Sequence, residues 1–306
     1  MKNLTPLRFP GNKRWLVDYV KDFIIYHKLN NIMAEPYAGS ASISLGLLDK
    51  GIIKKSYIND KDPMIYAFWY SVFNLNEELI EGTKEISTNI TVKKYYEFKN
   101  HLNKSINSNL NKNNILDYAI EFLFLNRTSY SGIVKGGPIG GKKQESKYKI
   151  SCRFGLENII KKIRYLYKFR QQIELSNLEG IDFIQKFANE HSNSLLYIDP
   201  PYFKAGKDLY NFYFNIDDHK ALADLLLEDE IKNPWLVSYD NDEFIKSLYS
   251  KKGIFCDKIL SNKCVYVHKK YLISSNKRIA YEILFSNKKI PPYNTLIDIE
   301  KKEIKI

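Results

Sequence analysis

The sequence predicts an α/β protein, an open and mostly parallel twisted sheet whose chain is interrupted once by a long insertion. Three observations lead there. Short apolar or β-branched runs alternate with stretches of helical periodicity. The first of these runs ends in a glycine turn that opens a helix, a β-turn-α-β unit. Between about residues 62 and 154 this punctuation lapses, then resumes. Residues 1–61 and 155–306 therefore read as one domain, with 62–154 inserted into it. A length of 306 residues suits one large domain with such an insertion.

From Lys13 to Leu29, Leu16, Tyr19, Val20, Phe23 and Ile24 recur at helical spacing. "NIMAEPYAG" is a strand entering a glycine turn, "SASISLGLLDKG" the following helix, and "KKSYIND" a second strand ending in acid. Long helical stretches rich in Asn and Lys follow Pro63. The biased stretch "HLNKSINSNLNKNNILDY" reads as a solvated loop or helix end. "FLNRTSYSGIVKGGPIGGKKQESKYKISCRF" reads as a hairpin with a long polar turn. Leu156, Ile159, Ile160, Ile163, Leu166 and Tyr167 mark an amphipathic helix. "QQIEL", "SLLYID", "PWLVSYD", "CVYVHKKYLI" and "AYEILFS" are strands, and "DDHKALADLLLED" is one of the helices between them.

Composition narrows the partners. A hydrophobic share of 44% is that of a globular chain. Lys and Arg number 47 against 35 Asp and Glu, a formal charge of +12 that suits a polyanion such as nucleic acid. The 23 tyrosines add rings on which bases stack. Cys152, Cys256 and Cys264 form no CxxC pair, so a reduced cytoplasmic protein without a zinc site is expected. No signal peptide or membrane span is expected.

Four segments carry chemistry. In "AEPYAGSAS", Glu35 ends a strand and Gly39 lets backbone approach a ligand at a helix N-terminus. Asp60 ends the next strand, where nucleotide-binding folds place a carboxylate on ribose hydroxyls. "GGPIGGKK" imitates a phosphate loop, but Lys143 stands where Ser or Thr would bind magnesium, and no apolar helix follows. A turn following a nucleic-acid backbone fits it better. "NRTSYSG" gathers Asn126, Arg127, Ser129 and Tyr130, residue types that meet base edges and phosphates or form a polar loop.

The fourth is "DPPY". Consecutive prolines end ladder pairing, because each lacks an N–H and fixes φ. The segment is either a plain strand end or a rigid platform for a planar amine. An exocyclic amine is a poor nucleophile while its lone pair is delocalised into the base. Asp199 and the Pro200 carbonyl could accept its two N–H bonds and favour tetrahedral nitrogen. Pro201 completes the turn, and Tyr202 could stack on the ring.

Seven segments in order resemble the Dam-like N6-adenine DNA methyltransferases: "PLRFPGNKRWL", "EPYAGSASISL", "YINDKDPMI", "LNRTSYSG", "LEGIDFIQ", "YIDPPY" and "SSNKRIAYEILFSN". The resemblance implies a Rossmann-like S-adenosylmethionine-dependent methyltransferase sheet. Residues 1–61 and 155–306 would bind the cofactor, and 62–154 would be a helical and hairpin target-recognition domain. It implies methyl transfer from S-adenosylmethionine to N6 of an adenine flipped from duplex DNA, releasing S-adenosylhomocysteine. Flipping costs roughly a few kcal/mol, of which stacking on Tyr202 could return about 1–3 kcal/mol. Cofactor residues would be Phe9, Lys13, Glu35, Tyr37, Gly39, Asp60, Asp182, Phe183 and Asp199. DNA would meet Asn126, Arg127, Ser129, Tyr130, Lys135, Lys142 and Lys143. No metal is expected, since the methylsulfonium is already activated. A monomer or weak dimer is expected, with a companion restriction endonuclease as a further partner.

Two departures from the family pattern stand out. Ala41 replaces its second glycine and would start a helix comfortably. Asn12 replaces a glycine, and Asn tolerates positive φ. Two other readings stand beside the main one. In one, the acceptor is cytosine N4 or RNA adenine, although such enzymes more often carry Ser or Asn before "PPY". In the other, the chain is a DNA-binding module with a dead cofactor site.

Overall fold

The structure is a computed structural model. It describes residues 3–9, 11–105, 110–203, 211–227, 231–240, 242–250, 265–273 and 276–288. In chain order the elements are α1 (Val17–Tyr26), β1 (Ile32–Glu35), α2 (Ser42–Asp49), β2 (Lys55–Asn59), α3 (Pro63–Asn74), α4 (Asn76–Ser87), α5 (Val92–Ser105), α6 (Ile115–Thr128), α7 (Leu156–Leu166), β3 (Ile173–Ser176), α8 (Gly180–Glu190), β4 (Leu195–Ile198), α9 (Ile216–Leu227), β5 (Trp235–Asp240), α10 (Glu243–Ser250), β6 (Val265–Ile273) and β7 (Asn276–Ser286). Each of the seven expected strands is present.

The seven-stranded sheet has the order β3-β2-β1-β4-β5-β7-β6. The first five strands run parallel, and β7 pairs antiparallel with both β5 and β6. This is the α/β sheet that the alternating pattern predicts, closed by an antiparallel hairpin at one edge. Side chains alternate between the faces with period 2. Met33, Leu195 and Tyr197 join the core that holds α1 to α7, whereas Ala34, Leu196 and Ile198 join the core under α8, α9 and α10. A strand buried on both faces reads as an unbroken apolar run, which is why "LLYI" lacks alternation.

Helices α3 to α6, within the segment expected to be an insertion, share the first core. Phe68 and Trp69 of α3 and Phe122 and Leu123 of α6 belong to the cluster that contains Met33 and Leu45. Asp62 caps α3 by accepting the amide of Met64 at 2.9 Å, with Pro63 at the first helical position.

The hairpin expected in 124–154, with its turn at 135–149, is not a two-stranded ladder. One antiparallel bridge, Ser129 to Pro138, is its isolated pairing. Gly140 and Gly141 adopt φ of +85° and +75°, and Pro138 offers no donor, so pairing cannot propagate. Side chains substitute for it. The Gln144 amide donates to the Ile139 carbonyl at 2.8 Å and its oxygen accepts the Ile150 amide at 2.7 Å. From α5, the Tyr95 hydroxyl and the Lys99 ammonium donate to the Gly136 carbonyl at 2.9 and 2.6 Å.

Cys256 and Cys264 lie outside the described residues, and Cys152 is exposed as a free thiol. Among the described residues no helix is long and apolar enough to cross a membrane.

Candidate active site

In the sheet, β1 and β4 are neighbours from which the chain winds in opposite directions. A crevice opens beyond the carboxyl ends of strands at such a switch point. Here it holds a cavity of about 420 Å³. Glu35 ends β1 and Asp199 follows β4, so the fold brings both carboxylates to one opening.

One wall comes from β1, β2 and the turns after them. The Glu35 carboxylate is buried and accepts the Ser44 amide at 3.1 Å. Burial, with the nearby charge of Asp199 adding to it, pushes its pKa up to about 7. Gly39 turns at φ +48°, donating its amide to Asp60 at 2.8 Å and receiving the Trp69 indole N–H at 2.9 Å. Asp60 also accepts the Asp62 amide at 2.9 Å, and burial followed by the Asp62 charge pushes its pKa up to about 7. A Cβ at Gly39 would lie 2.9 Å from the Phe9 ring, and one at Gly180 would lie 2.3 Å from the Tyr37 ring. Both glycines thus let an aromatic ring pack directly on the backbone of the cavity wall. Tyr37 packs edge-on against Phe214 at 5.5 Å, and its hydroxyl is buried without a hydrogen-bond partner.

Of the "DPPY" turn, Asp199 and Pro201 line the cavity, whereas the Tyr202 ring lies outside its lining, 6.5 Å from the ring of Tyr239. Lys13 is 3% exposed, and its ammonium donates to Asp199 Oδ2 at 2.8 Å and to the Gly11 carbonyl at 3.0 Å. The same ammonium lies 4.7 Å from the centre of the Tyr202 ring. Ser238 Oγ donates to Asp199 Oδ1 at 2.7 Å and stands 3.1 Å from the Tyr197 hydroxyl. Asp199 is therefore held at both oxygens. Pro201 lines the cavity, whereas Pro200 is buried beneath it.

Of the residues assigned to the cofactor, Phe9, Lys13, Glu35, Tyr37, Gly39, Asp60, Asp182 and Asp199 line one cavity. Phe183 does not. It is buried in the core, stacked on Phe187 with centroids 6.3 Å apart, and its neighbour Ile181 faces the cavity instead. A helix turns 100° per residue, so an apolar residue next to Asp182 can belong to either face.

The residues assigned to DNA divide. Asn126 is fully buried; its side chain accepts the Arg8 amide at 2.8 Å and donates to the carbonyls of Arg8 and Gly132 at 2.8 and 3.1 Å. Arg127 donates to the carbonyls of Pro6, at 3.2 Å, and Arg153. Ser129 Oγ is buried 2.9 Å from the Tyr95 hydroxyl. In this structure these three brace the loop, because polar side chains at the end of a packed helix find backbone partners first, and Asn126 also lines the cavity. Tyr130 is 70% exposed, Lys142 and Lys143 are exposed, and Lys135 lines the cavity mouth 5.3 Å from the Tyr213 ring.

Both departures behave differently from expectation. Ala41 adopts φ +48° at the N-cap of α2, a left-handed conformation rather than a helical one. The positive φ near Asn12 falls on Gly11, at +77°. Asn12 instead accepts the Arg14 amide at 2.8 Å and donates to Ser40 at 3.3 Å.

Sequence reasoning missed Ser238 and His219. Ser238 is a lone hydroxyl within the apolar run of β5, a pattern that does signal a buried partner. His219 is fully buried, with Nδ1 2.9 Å from the Tyr239 hydroxyl and its ring against Phe203 and Phe214. Burial lowers its pKa to about 4, so it is neutral at physiological pH.

A family model described as D12 class N6 adenine-specific DNA methyltransferase matches residues 9–267. The type II methyltransferase M.MjaIII of Methanocaldococcus jannaschii is 26% identical over 273 residues, covering 82% of this chain and 92% of that one. Among solved structures, a putative RNA methyltransferase from Pyrococcus horikoshii aligns over 92% of each chain with a TM-score of 0.40 and 8% identity. The rRNA methyltransferase aviRa of Streptomyces viridochromogenes covers 91% of this chain and 86% of its own, with a TM-score of 0.32 and 11% identity.

Proposed function

The chain belongs to the D12 class of N6 adenine-specific DNA methyltransferases, and we propose that it uses S-adenosylmethionine to methylate adenine N6 in duplex DNA, with Asp199 at the reacting amine. The observation that carries the reading is the placement of Asp199. It stands at the shared end of the cavity, gripped by Lys13 and Ser238, with the Tyr202 ring beside it.

The wall residues fit the cofactor. Gly39 and Gly180 seat the Phe9 and Tyr37 rings against the backbone of the cavity wall, and the Tyr37 hydroxyl has a polar atom to offer. Asp60 and Glu35 present carboxylates suited to a diol and an ammonium, with Asp182 at the same cavity. Bound there, S-adenosylmethionine supplies a methyl group on a sulfonium, a carbon already electrophilic enough for transfer to nitrogen.

The chain's own residues do the rest. Asp199 accepts one N–H of the target amine, and the constrained Pro200 carbonyl accepts the other. This draws the nitrogen lone pair out of conjugation. Lys13 holds Asp199 in place through their 2.8 Å ion pair. Tyr202 stacks on the flipped base. Asp199 is the nearest base for the proton that the amine sheds after transfer. The face carrying Tyr130, Lys135, Lys142 and Lys143 meets DNA, while Asn126, Arg127 and Ser129 set its shape. Residues 62–154 thus act as the target-recognition element, and 1–61 with 155–306 as the catalytic one. A companion endonuclease of the same target, in the cytoplasm, completes the proposed reading.

Transfer of a labelled methyl group to mixed DNA tests the proposal. N6-methyladenine after nuclease digestion is the expected product. Label found in cytosine or only in RNA, or full activity in Asp199→Ala, would overturn it.

A further inference from the structure

The turns that follow β1, β2 and β3 all reach the cavity: Tyr37 and Gly39 from the first, Asp60 and Asp62 from the second, Glu179 and Gly180 from the third. The sheet ladder stops short of them. Its last pairs there are Glu35 with Ile58 and Asn59 with Ser176, and Pro36 has no N–H with which to continue β1.

Two asparagine side chains take over. Asn59, fully buried at the end of β2, spans the first and third turns. Its amide nitrogen donates to the carbonyls of Pro36 at 2.9 Å and Leu178 at 3.0 Å, and its oxygen accepts the Leu178 amide at 2.9 Å. Its backbone carbonyl accepts the Ala38 amide at 2.9 Å. The bonds at Pro36 and Ala38 bracket Tyr37, whose ring packs on Gly180 so closely that a Cβ there would lie 2.3 Å from it. Asn177 spans the third and second turns, donating to the carbonyls of Asp60 at 2.7 Å and Lys61 at 3.0 Å. The Gly39 amide, donating to Asp60 at 2.8 Å, joins the first turn to the second. Every pair of the three turns is thus fastened, and the bonds close into a triangle.

Neither asparagine lines the cavity. A carboxamide offers two N–H donors and an acceptor oxygen, which is the set that Asn59 uses. Asn177 is exposed, and exposed polar side chains contribute little to global stability. What its two bonds fix is the place of Asp60 relative to Glu179 and Gly180.

We infer that Asn59 and Asn177 are positioning residues for the nucleoside half of the methyl donor, setting the spacing of Tyr37, Asp60 and Gly180 without meeting the ligand. The inference rests on the reading that this cavity takes S-adenosylmethionine, with Asp60 on the ribose. Turns held in advance lose no freedom on binding, so loosening them costs affinity. The transfer step, at Asp199, lies on another strand end.

Calorimetry compares wild type, Asn59→Ala, Asn177→Ala and Asn177→Asp. The control is Asn74→Ala, an exposed asparagine bonded within its own helix. The ligands are S-adenosylmethionine and 5′-methylthioadenosine, which keeps the nucleoside and lacks the amino-acid half. Both dissociation constants should rise by one common factor, about tenfold in Asn59→Ala and several-fold in the two Asn177 variants, and stay at the wild-type value in the control. Single-turnover transfer at saturating S-adenosylmethionine should remain within about twofold of wild type. Asn177→Asp keeps the volume and loses both donors, so it separates bonding from bulk; with Asn177→Ala it also suffices if Asn59→Ala does not fold. Hydrogen exchange of the ligand-free protein, read on peptides covering 36–40 and 177–182, should quicken in the variants and not in the control. Wild-type affinity in Asn177→Asp, a loss confined to S-adenosylmethionine, a transfer rate that falls as far as the affinity, or unaltered exchange would overturn the inference and leave the cofactor reading standing. Wild type that binds neither ligand would overturn the cofactor reading, and the inference with it.

Discussion

Lys13 and Asp199, 186 positions apart in sequence, form an ion pair of 2.8 Å at the floor of the crevice. The lysine is the more buried partner, so the pair is assembled before any substrate arrives. Asp199→Asn keeps the shape but weakens the acceptor, and Asp199→Ala removes it. We expect methyl transfer to fall by about 10²-fold or more in both, while S-adenosylmethionine still binds. Single-turnover kinetics and calorimetry measure the two quantities separately. Lys13→Gln should lower the rate too, and unlike the Asp199 variants it should also weaken cofactor binding.

Ser238 donates to the same carboxylate at 2.7 Å, stands 3.1 Å from the Tyr197 hydroxyl, and does not itself line the cavity. A bond to a charged group contributes about 1.5–3 kcal/mol. Ser238→Ala should therefore lower kcat by about tenfold, since each 1.36 kcal/mol is a factor of ten. Its dissociation constant for cofactor should match wild type. An unchanged kcat would show that Lys13 alone orients Asp199.

The buried Glu35 predicts a pH signature. Its folded pKa of about 7 lies above the value of about 4.5 in an unfolded chain. Between those limits the folded protein holds a proton that the unfolded chain sheds, so rising pH favours unfolding, and the penalty is complete above pH 7. Glu35→Gln removes this. Its stability advantage over wild type should be near zero at low pH and grow to on the order of 2–3 kcal/mol at alkaline pH, with weaker cofactor binding. Urea denaturation across the pH series reads the difference. Comparing the two proteins cancels Asp60, which acts in the same direction, and His219, whose lowered pKa acts oppositely between about 4 and 6.5.

Ala41 stores backbone strain. A left-handed residue with a Cβ costs about 1–2 kcal/mol, partly offset because glycine loses about 0.5–1 kcal/mol more conformational freedom on folding. Ala41→Gly should therefore stabilise the protein by about 0.5–1 kcal/mol in urea denaturation. A destabilised variant would mean that the Ala41 methyl group packs more favourably than its φ of +48° suggests.

The loop after α6 should act on DNA alone. Tyr130→Ala combined with Lys142→Gln and Lys143→Gln should weaken duplex binding several-fold in anisotropy titrations and leave cofactor calorimetry unaltered. Equal weakening of both ligands would show that the loop supports the crevice instead.

The architecture was legible because local signals and the sheet agree: seven apolar runs, each bounded by turn residues, became seven strands. The gathering of Glu35, Gly39 and Asp60 at one cavity was legible for the same reason, since they sit at or just beyond strand ends that topology alone brings together. The DNA face was less so. Composition cannot tell an Asn that reads a base from one that clamps a neighbouring backbone, and Asn126 turned out to be the clamp. The same limit hid Phe183, whose facing depends on helix phase. The 124–154 segment had the composition of a hairpin, but its glycines and Pro138 leave pairing to a glutamine side chain.

The indole of Trp69, on the first helix of the inserted segment, holds the carbonyl of Gly39 at 2.9 Å, and that helix shares its apolar cluster with the central strands. The segment is consequently not an exchangeable cassette. Replacing 62–154 with a segment that lacks this indole would remove a support of the cavity wall at Gly39. New specificity is reached more readily by drift at the exposed tips, around Tyr130 and Lys142, where altered side chains leave the shared foundation in place.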